Sequence, residues 1–347
     1  MGRLAAALAV LSLSGFAAPA RAQTAGPFLE PGAADALSSI RFSAARLRAQ
    51  ATARVEESSA LTLWRGHETQ PVVSPELPVA PFDRAVISWN TTGPATIELE
   101  VEGRWRVMGR WGPEPRSVPA PGVETDTLVL ARPAASLRFR VTPENGAAVT
   151  LVAVAHWMHG EKRPLTHGPS SAWGRVLDVP QRSQANGQPN AGDICSPTSL
   201  SMVLQYYGVD KPTEEVASGV FDHQANIYGN WPFNTAYAHA VSGLEAYVVR
   251  MSGLDELEGE IAAGRPVIIS HRWQSGDLDN APVSAVDGHL IVVVGFTKKG
   301  DVVVNDPAGR RGNGGVRRVY KRAQLYKTWL TRASGVAYVL RRPADPR

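Results

Sequence analysis

The sequence is short of cysteine: Cys195 is the only one in 347 residues. No internal disulfide can form, which excludes a disulfide scaffold. Charge is sparse as well. Charged residues make up 20% and the formal net charge is +4. No run of Lys and Arg is dense enough to mark nucleic acid as the partner. The Gly-rich stretch Gly309 to Gly315 lacks the Lys-Ser/Thr of a phosphate-binding loop. His223, His239 and His271 fall in no HExxH or Cys-paired spacing, so neither a metal nor a cofactor is expected. After the first residues there is no second long apolar run, so the mature chain should carry no integral membrane segment.

The beginning of the chain has the makings of an export signal. Arg3 precedes an Ala- and Leu-rich stretch from Leu4 to Ala18, and Ala20-Arg21-Ala22 supplies the small residues of a cleavage site. The apolar stretch is shorter than the roughly 20 residues of a spanning helix. We expect a Sec-type signal peptide over 1–22, cleaved after Ala22, and a secreted or periplasmic protein. Loss of Arg3 and Arg21 would lower the net charge from +4 to +2.

Hydrophobic periodicity divides the rest. Residues 23–57 are Ala- and Arg-rich, and we expect part of the segment to be helical. Over 58–160, Ile97, Leu99 and Val101 alternate with Glu98 and Glu100, and Leu137, Phe139 and Val141 alternate with Arg138 and Arg140. A period of two marks half-buried strands, and repeated Gly- and Pro-rich breaks predict an all-β sandwich. Over about 58–157 its histidines, His67 and His156, fit no nucleophile–base pattern, so it should hold no catalytic residue and fold independently. Polar residues 161–176 read as a linker. Over 177–347 the pattern is α+β. Helices are predicted over Ser199 to Tyr207 and Leu254 to Ala263, and strands over Val267 to Ile269, Leu290 to Phe296, Val302 to Asn305 and Val336 to Leu340.

Cys195 stands in Asp193-Ile194-Cys195-Ser196-Pro197-Thr198-Ser199, directly before the first helix. A lone thiol is an apolar filler, an intermolecular link or a reactive group. The positive end of a helix dipole favours thiolate, which points to the third. A thiolate nucleophile works with a base held by a third group. If Leu290 to Phe296 and Val302 to Val304 pair as a hairpin around Lys298 to Asp301, His289 at one strand's start lies beside Asp306 at the other's end. The bland alternatives are a core histidine and a turn aspartate before Pro307.

At these residues the chain resembles a family of bacterial peptidases related to the bacteriocin-leader-processing enzymes, cysteine peptidase family thirty-nine. The matching motifs are Val179-Pro180-Gln181-Arg182-Ser183-Gln184, Cys195-Ser196-Pro197-Thr198-Ser199, Gly288-His289-Leu290 and Asn305-Asp306-Pro307-Ala308. Further similarity runs through Tyr228 to Asn234 and Ala263 to Val267, and more loosely through Ser88-Trp89-Asn90. The resemblance implies a papain-like fold with Cys195 as nucleophile, His289 as general base and then acid, and Asp306 as its orienter. It also implies an upstream Gln at the oxyanion. Gln184 is the choice that closes the motif, with Gln181 and Gln188 as alternatives. Many relatives have Gly where this chain has Ser196.

The function expected is hydrolysis of a peptide or amide bond through a thioester. The partner is then a peptide or protein substrate, free or associated with the cell envelope. Two other readings stay open: a non-catalytic module binding peptide or envelope polymer, and acyl transfer by the same triad.

Overall fold

A computed structural model of the chain describes residues 54–58, 60–166, 170–185, 187 and 189–343. The signal-peptide segment, most of the segment 23–57 and Gln188 lie outside the described residues. No helix among those described is long and apolar enough to cross a membrane.

Ten strands come first: β1 (Arg54–Ser58), β2 (Leu61–Glu68), β3 (Val72–Val73), β4 (Leu77–Thr91), β5 (Ala95–Val101), β6 (Arg104–Trp111), β7 (Arg116–Ser117), β8 (Val123–Glu124), β9 (Thr127–Pro143) and β10 (Val149–Trp157). They are linked by antiparallel pairing in the order β1-β2-β10-β4-β9-β5-β6-β7, with β3 and β8 also on β9. The long strand β9 hands its pairing from β4 to β5 partway along, as a strand does where a sheet turns a corner. In β5 the period of two is complete. Ala95, Ile97, Leu99 and Val101 are buried, and Thr96, Glu98 and Glu100 are half-buried. Ile97 pairs with Val141 and Leu99 with Phe139 on the inner face. On the outer face Glu98 lies opposite Arg140, and Arg140 and Arg138 lie 4.5 Å and 5.4 Å over the Trp105 ring.

The C-terminal half is α+β. It begins with α1 (Cys195–Tyr206), α2 (Thr213–Val220) and α3 (Trp231–Ser242), followed by β11 (Glu245–Arg250), α4 (Leu254–Ala262), β12 (Val267–Trp273), β13 (Val286–Phe296), β14 (Val302–Asn305), β15 (Arg317–Tyr320) and α5 (Arg322–Leu325). α5 runs into a π-helix over Tyr326–Thr331, and β16 (Val336–Arg341) closes the chain. The six strands form one antiparallel sheet, β11-β16-β12-β13-β14-β15. The hairpin expected around Lys298 to Asp301 is present, with Phe296 opposite Val302 and Val292 opposite Asn305. Two boundaries differ from expectation. β13 begins at Val286, so His289 lies inside the strand. α1 begins at Cys195 itself, because Pro197, which has no N–H to leave unpaired, is accommodated in the first turn.

The segment read as a linker is bonded to the C-terminal half. Trp173 Nε1 donates to Glu258 at 2.8 Å, and the Arg163 guanidinium bonds Ser252 and Glu256. The backbone of Arg175 and Val176 runs so close to β13 that a Cβ at Gly295 would sit 2.3 Å from the Arg175 carbonyl oxygen. Only glycine permits that approach.

The two halves also share a buried face. Phe233 of α3 lies edge-on to Trp89 at 6.0 Å and tilted against Trp111 at 6.1 Å. A Cβ at Gly109 would be 3.2 Å from the Phe233 ring, so the glycine makes the room. The outer strand β11 would otherwise present an open row of backbone groups. The side chain of Asn90 accepts from the Ala246 N–H (3.1 Å) and donates to the Ala246 carbonyl (2.7 Å), and Ser88 accepts from Val248 N–H (3.0 Å). The Ser88-Trp89-Asn90 motif therefore seals the edge of the second sheet. Arg65 adds a two-pronged ion pair to Glu245, at 2.7 and 2.9 Å.

Candidate active site

Cys195 is the first residue of α1 and only 6% exposed. No side chain caps this helix, since Ile194 stands at the N-cap and Thr198 turns both its N–H and its hydroxyl to the Ile194 carbonyl. The uncapped end leaves the partial positive charge of the helix directed at the thiol. Ser199, one turn on, donates to the Leu290 carbonyl at 3.0 Å and ties α1 to the strand that carries His289.

His289 and Asp306 meet in the buried interior. Their contact is 2.7 Å between Nε2 and Oδ1. The carboxylate is held from further sides: the Tyr320 hydroxyl donates to Oδ2 at 2.6 Å and the Ala308 N–H to Oδ1 at 3.0 Å. With Nε2 engaged, Nδ1 is the ring nitrogen left to exchange a proton with Cys195, which lies near enough to His289 to favour its charged form. Burial opposes charge on His289, but the Asp306 carboxylate and the bonds to Asp306 and Cys195 outweigh it and push the imidazole up to about 10. Burial likewise opposes charge on Asp306, and the His289 imidazolium with the bonds from His289 and Tyr320 holds it below the usual carboxylate range. The pair is thus an imidazolium–carboxylate at neutral pH.

Two residues of this site escaped the sequence reading. His271 of β12 is the cross-strand partner of His289, with ring centroids 5.8 Å apart. It is wholly buried against Trp273. Burial first, then the His289 charge, push it down to about 3, so it is neutral. Its Nδ1 faces the Thr328 hydroxyl at 3.5 Å, and Nε2 has no partner among the described residues. Tyr320 is the other, placed by the four-residue strand β15. Neither has a local signature: a His in a strand and a Tyr in a short strand look like core. Ligating atoms of His271, His289 and Asp306 lie within 4.8 Å of one another, a donor set suited to a borderline cation such as Zn²⁺. His223 and His239 do not join it: His223 packs on Phe221, and His239 bonds the Leu244 carbonyl.

Gln184 is buried, and its backbone N–H donates to the Pro307 carbonyl, next to Asp306, at 2.8 Å. Its side-chain amide donates to the carbonyls of Ala191 (2.9 Å) and Gly192 (3.4 Å) in the loop leading to Cys195, and its Oε1 is buried without a partner among the described residues. Gln181 is exposed and accepts from the Arg317 N–H of β15 at 3.1 Å. The Ser196 hydroxyl turns inward, donating to Asn234 Oδ1 at 2.8 Å and lying 3.1 Å from the Tyr338 hydroxyl.

Residues 176–336 match the model of the Peptidase_C39 like family. Among solved structures, a putative C39-like peptidase from Bacillus anthracis is 18% identical with a TM-score of 0.37, covering 48% of this chain and 98% of its own. A double glycine motif protease from an AMS/PCAT transporter, solved in complex with its leader peptide, is 24% identical with a TM-score of 0.32, covering 49% and 94%. A comparison with curated proteins finds no match.

Proposed function

Taking residues 176–336 as a C39-peptidase-like unit, we propose that the chain is a cysteine peptidase that cleaves a peptide or related amide bond through Cys195, His289 and Asp306. The observation that carries this reading is the buried 2.7 Å contact of His289 with Asp306, with the thiol of Cys195 against the same ring at an uncapped helix end. Cys195 has already given its proton to His289, which waits as the imidazolium, and Sγ attacks the carbonyl carbon. The oxyanion is stabilised by the Cys195 N–H and by the Gln184 amide, which gives up its longer, 3.4 Å contact to the Gly192 carbonyl to do so. His289 returns the proton to the leaving amine as the C–N bond breaks, giving a thioester. It then deprotonates a water that attacks the same carbon, the C–S bond breaks, and the proton stays on His289 beside the freed Sγ as the acid leaves. Asp306 holds the ring and stabilises its charged form throughout.

The Ser196 hydroxyl is buried and held by Asn234 and Tyr338, so this departure from the glycine of many relatives does not stand against activity. The substrate on this reading is a peptide or protein met outside the cytoplasm, with residues 1–22 serving as export signal and the all-β half as a sandwich that helps to hold substrate. Alkylation with iodoacetamide followed by mass spectrometry tests the reading. Cys195 should be modified far faster than a free thiol at pH 7. Full turnover of a generic peptide by a pure Cys195→Ala preparation would end it.

A further inference from the structure

The nucleophile's neighbour belongs to a chain of buried polar side chains that ends in the other half of the molecule. The Ser196 hydroxyl bonds Asn234, whose amide nitrogen donates to the carbonyls of Tyr228 (2.9 Å) and Asn230 (2.8 Å). Asn230 caps α3 by accepting from the Phe233 N–H at 3.2 Å, and its amide donates to Asp222 Oδ2 at 2.9 Å. The other oxygen of Asp222 accepts from the N–H groups of Gln224 and Ala225, and from Ser117 N–H of the all-β half at 3.1 Å. Asp126, also of the all-β half, accepts from the Trp231 N–H at 2.9 Å. Ser196, Asn234, Asn230, Asp222 and Asp126 are all buried.

The arrangement has a physical logic. The first N–H groups of a helix have no partner within it and carry its partial positive charge. At α3 the Trp231 N–H goes to a carboxylate of the other half and the Phe233 N–H to Asn230, which is itself held by a carboxylate bonded to the other half. The helix start is therefore set by the all-β half. One turn into it, Asn234 holds the residue that follows Cys195. A further bond, from His223 N–H to the Pro115 carbonyl (2.9 Å), fixes the segment leading into α3.

We propose that Asp126, Asp222, Asn230, Asn234 and Ser196 form a positioning chain through which the all-β half aims the thiol of Cys195 at His289. The all-β half is then part of the peptidase's own machinery, besides any surface it offers to substrate. The idea rests on the peptidase reading for its purpose, but its test does not depend on turnover.

The test uses the full chain and the second-order rate of iodoacetamide alkylation of Cys195, with peptide turnover measured in parallel. Asp126→Ala and Ser196→Ala should each slow alkylation about fivefold or more, because a misaimed thiol loses its imidazolium partner. Asp126→Asn should restore the rate to within about twofold, since its amide oxygen still accepts from Trp231. The double variant Asp126→Ala/Ser196→Ala should be no slower than the slower single one, as for links in one chain. Circular dichroism checks that each variant is folded. If Asp126→Ala proves unfolded, Ser196→Ala against Asp126→Asn/Ser196→Ala carries the comparison, and equal rates for those two are expected. Wild-type alkylation in folded Ser196→Ala, or losses that multiply in the double variant, would overturn the proposal. Absence of peptide turnover in the wild type, with the alkylation pattern as expected, would instead count against the peptidase reading alone.

Discussion

His289 Nε2 and Asp306 Oδ1 are 2.7 Å apart, inside a sheet where both side chains are 5% exposed or less. In such a place neither charge is stable without the other. The pair therefore sets how the site responds to pH. As His289 is raised to about 10 by its partners, the imidazolium should persist to about that pH. Asp306→Asn removes the chief raising influence. The alkaline limb of kcat/KM should move down by at least about one pH unit, and kcat should fall about 100-fold. A limb that stays in place in a pH–rate profile would mean that Asp306 does not control His289.

The same pair contributes to stability with a definite sign. A histidine raised from 6.5 to about 10 stabilises the fold fully below pH 6.5, and the contribution fades as pH rises through about 10. Asp306, held low, contributes above its ordinary 3.8 and loses that contribution in acid. Melting temperatures of the wild type should drop between pH 8 and 10.5 more steeply than those of Asp306→Asn. Parallel curves would contradict this.

Asp126 behaves in the opposite sense. Burial pushes its carboxyl up to about 6 from 3.8, despite the bonds from Trp231 and Thr127 that favour the anion. Between about pH 4 and 6 the folded chain holds a proton that the unfolded chain has released. Stability from this group therefore declines as pH rises through that window and is level above it, by ~3 kcal/mol in all. Urea titrations at pH 4.5 and 7 should show this decline in the wild type and not in Asp126→Asn. An identical pH dependence in the two would rule out Asp126 as the source.

Asn90 is predicted to matter far more than a surface amide. Asn90→Ala leaves the buried N–H and carbonyl of Ala246 without their side-chain partners and should cost about 3 kcal/mol in urea unfolding. Thr96→Ala, which loses only exposed bonds, to Glu144 and from Arg110, should change stability by less than about 0.5 kcal/mol. Equal effects would show that Asn90 does not seal the edge of β11.

The donor set of His271, His289 and Asp306 predicts reversible inhibition by Zn²⁺. Micromolar Zn²⁺ should slow Cys195 alkylation, and a chelator should restore it. His271→Gln should weaken the inhibition about tenfold. Unchanged inhibition in that variant would confine the ion to Cys195 and His289.

Much of the architecture is written in local pattern. Ile97, Leu99 and Val101, like Leu137, Phe139 and Val141, show their buried faces by period alone, because a strand alternates its side chains whatever it packs against. The hairpin that brings His289 to Asp306 was legible for the same reason: two apolar runs joined by a short polar turn can pair in few ways. Cys195 declared itself by standing at a helix start. Other features had no local signal. β11 and α3 were not predicted, since Glu245 to Arg250 and Trp231 to Ser242 are held by residues more than 100 positions earlier, Asn90 and Asp126. His271 gained its meaning only from register, when β12 was laid beside β13. Asp126 and Asp222 are ordinary loop acids until the halves dock and a helix end claims one of them. Periodicity, turns and helix starts follow from backbone geometry within a few residues, so the sequence by itself determined the elements and the candidate triad. Burial of charge and the partners of a helix end depend on which distant surfaces meet, and only the tertiary structure decided that the all-β half reaches the residue beside Cys195.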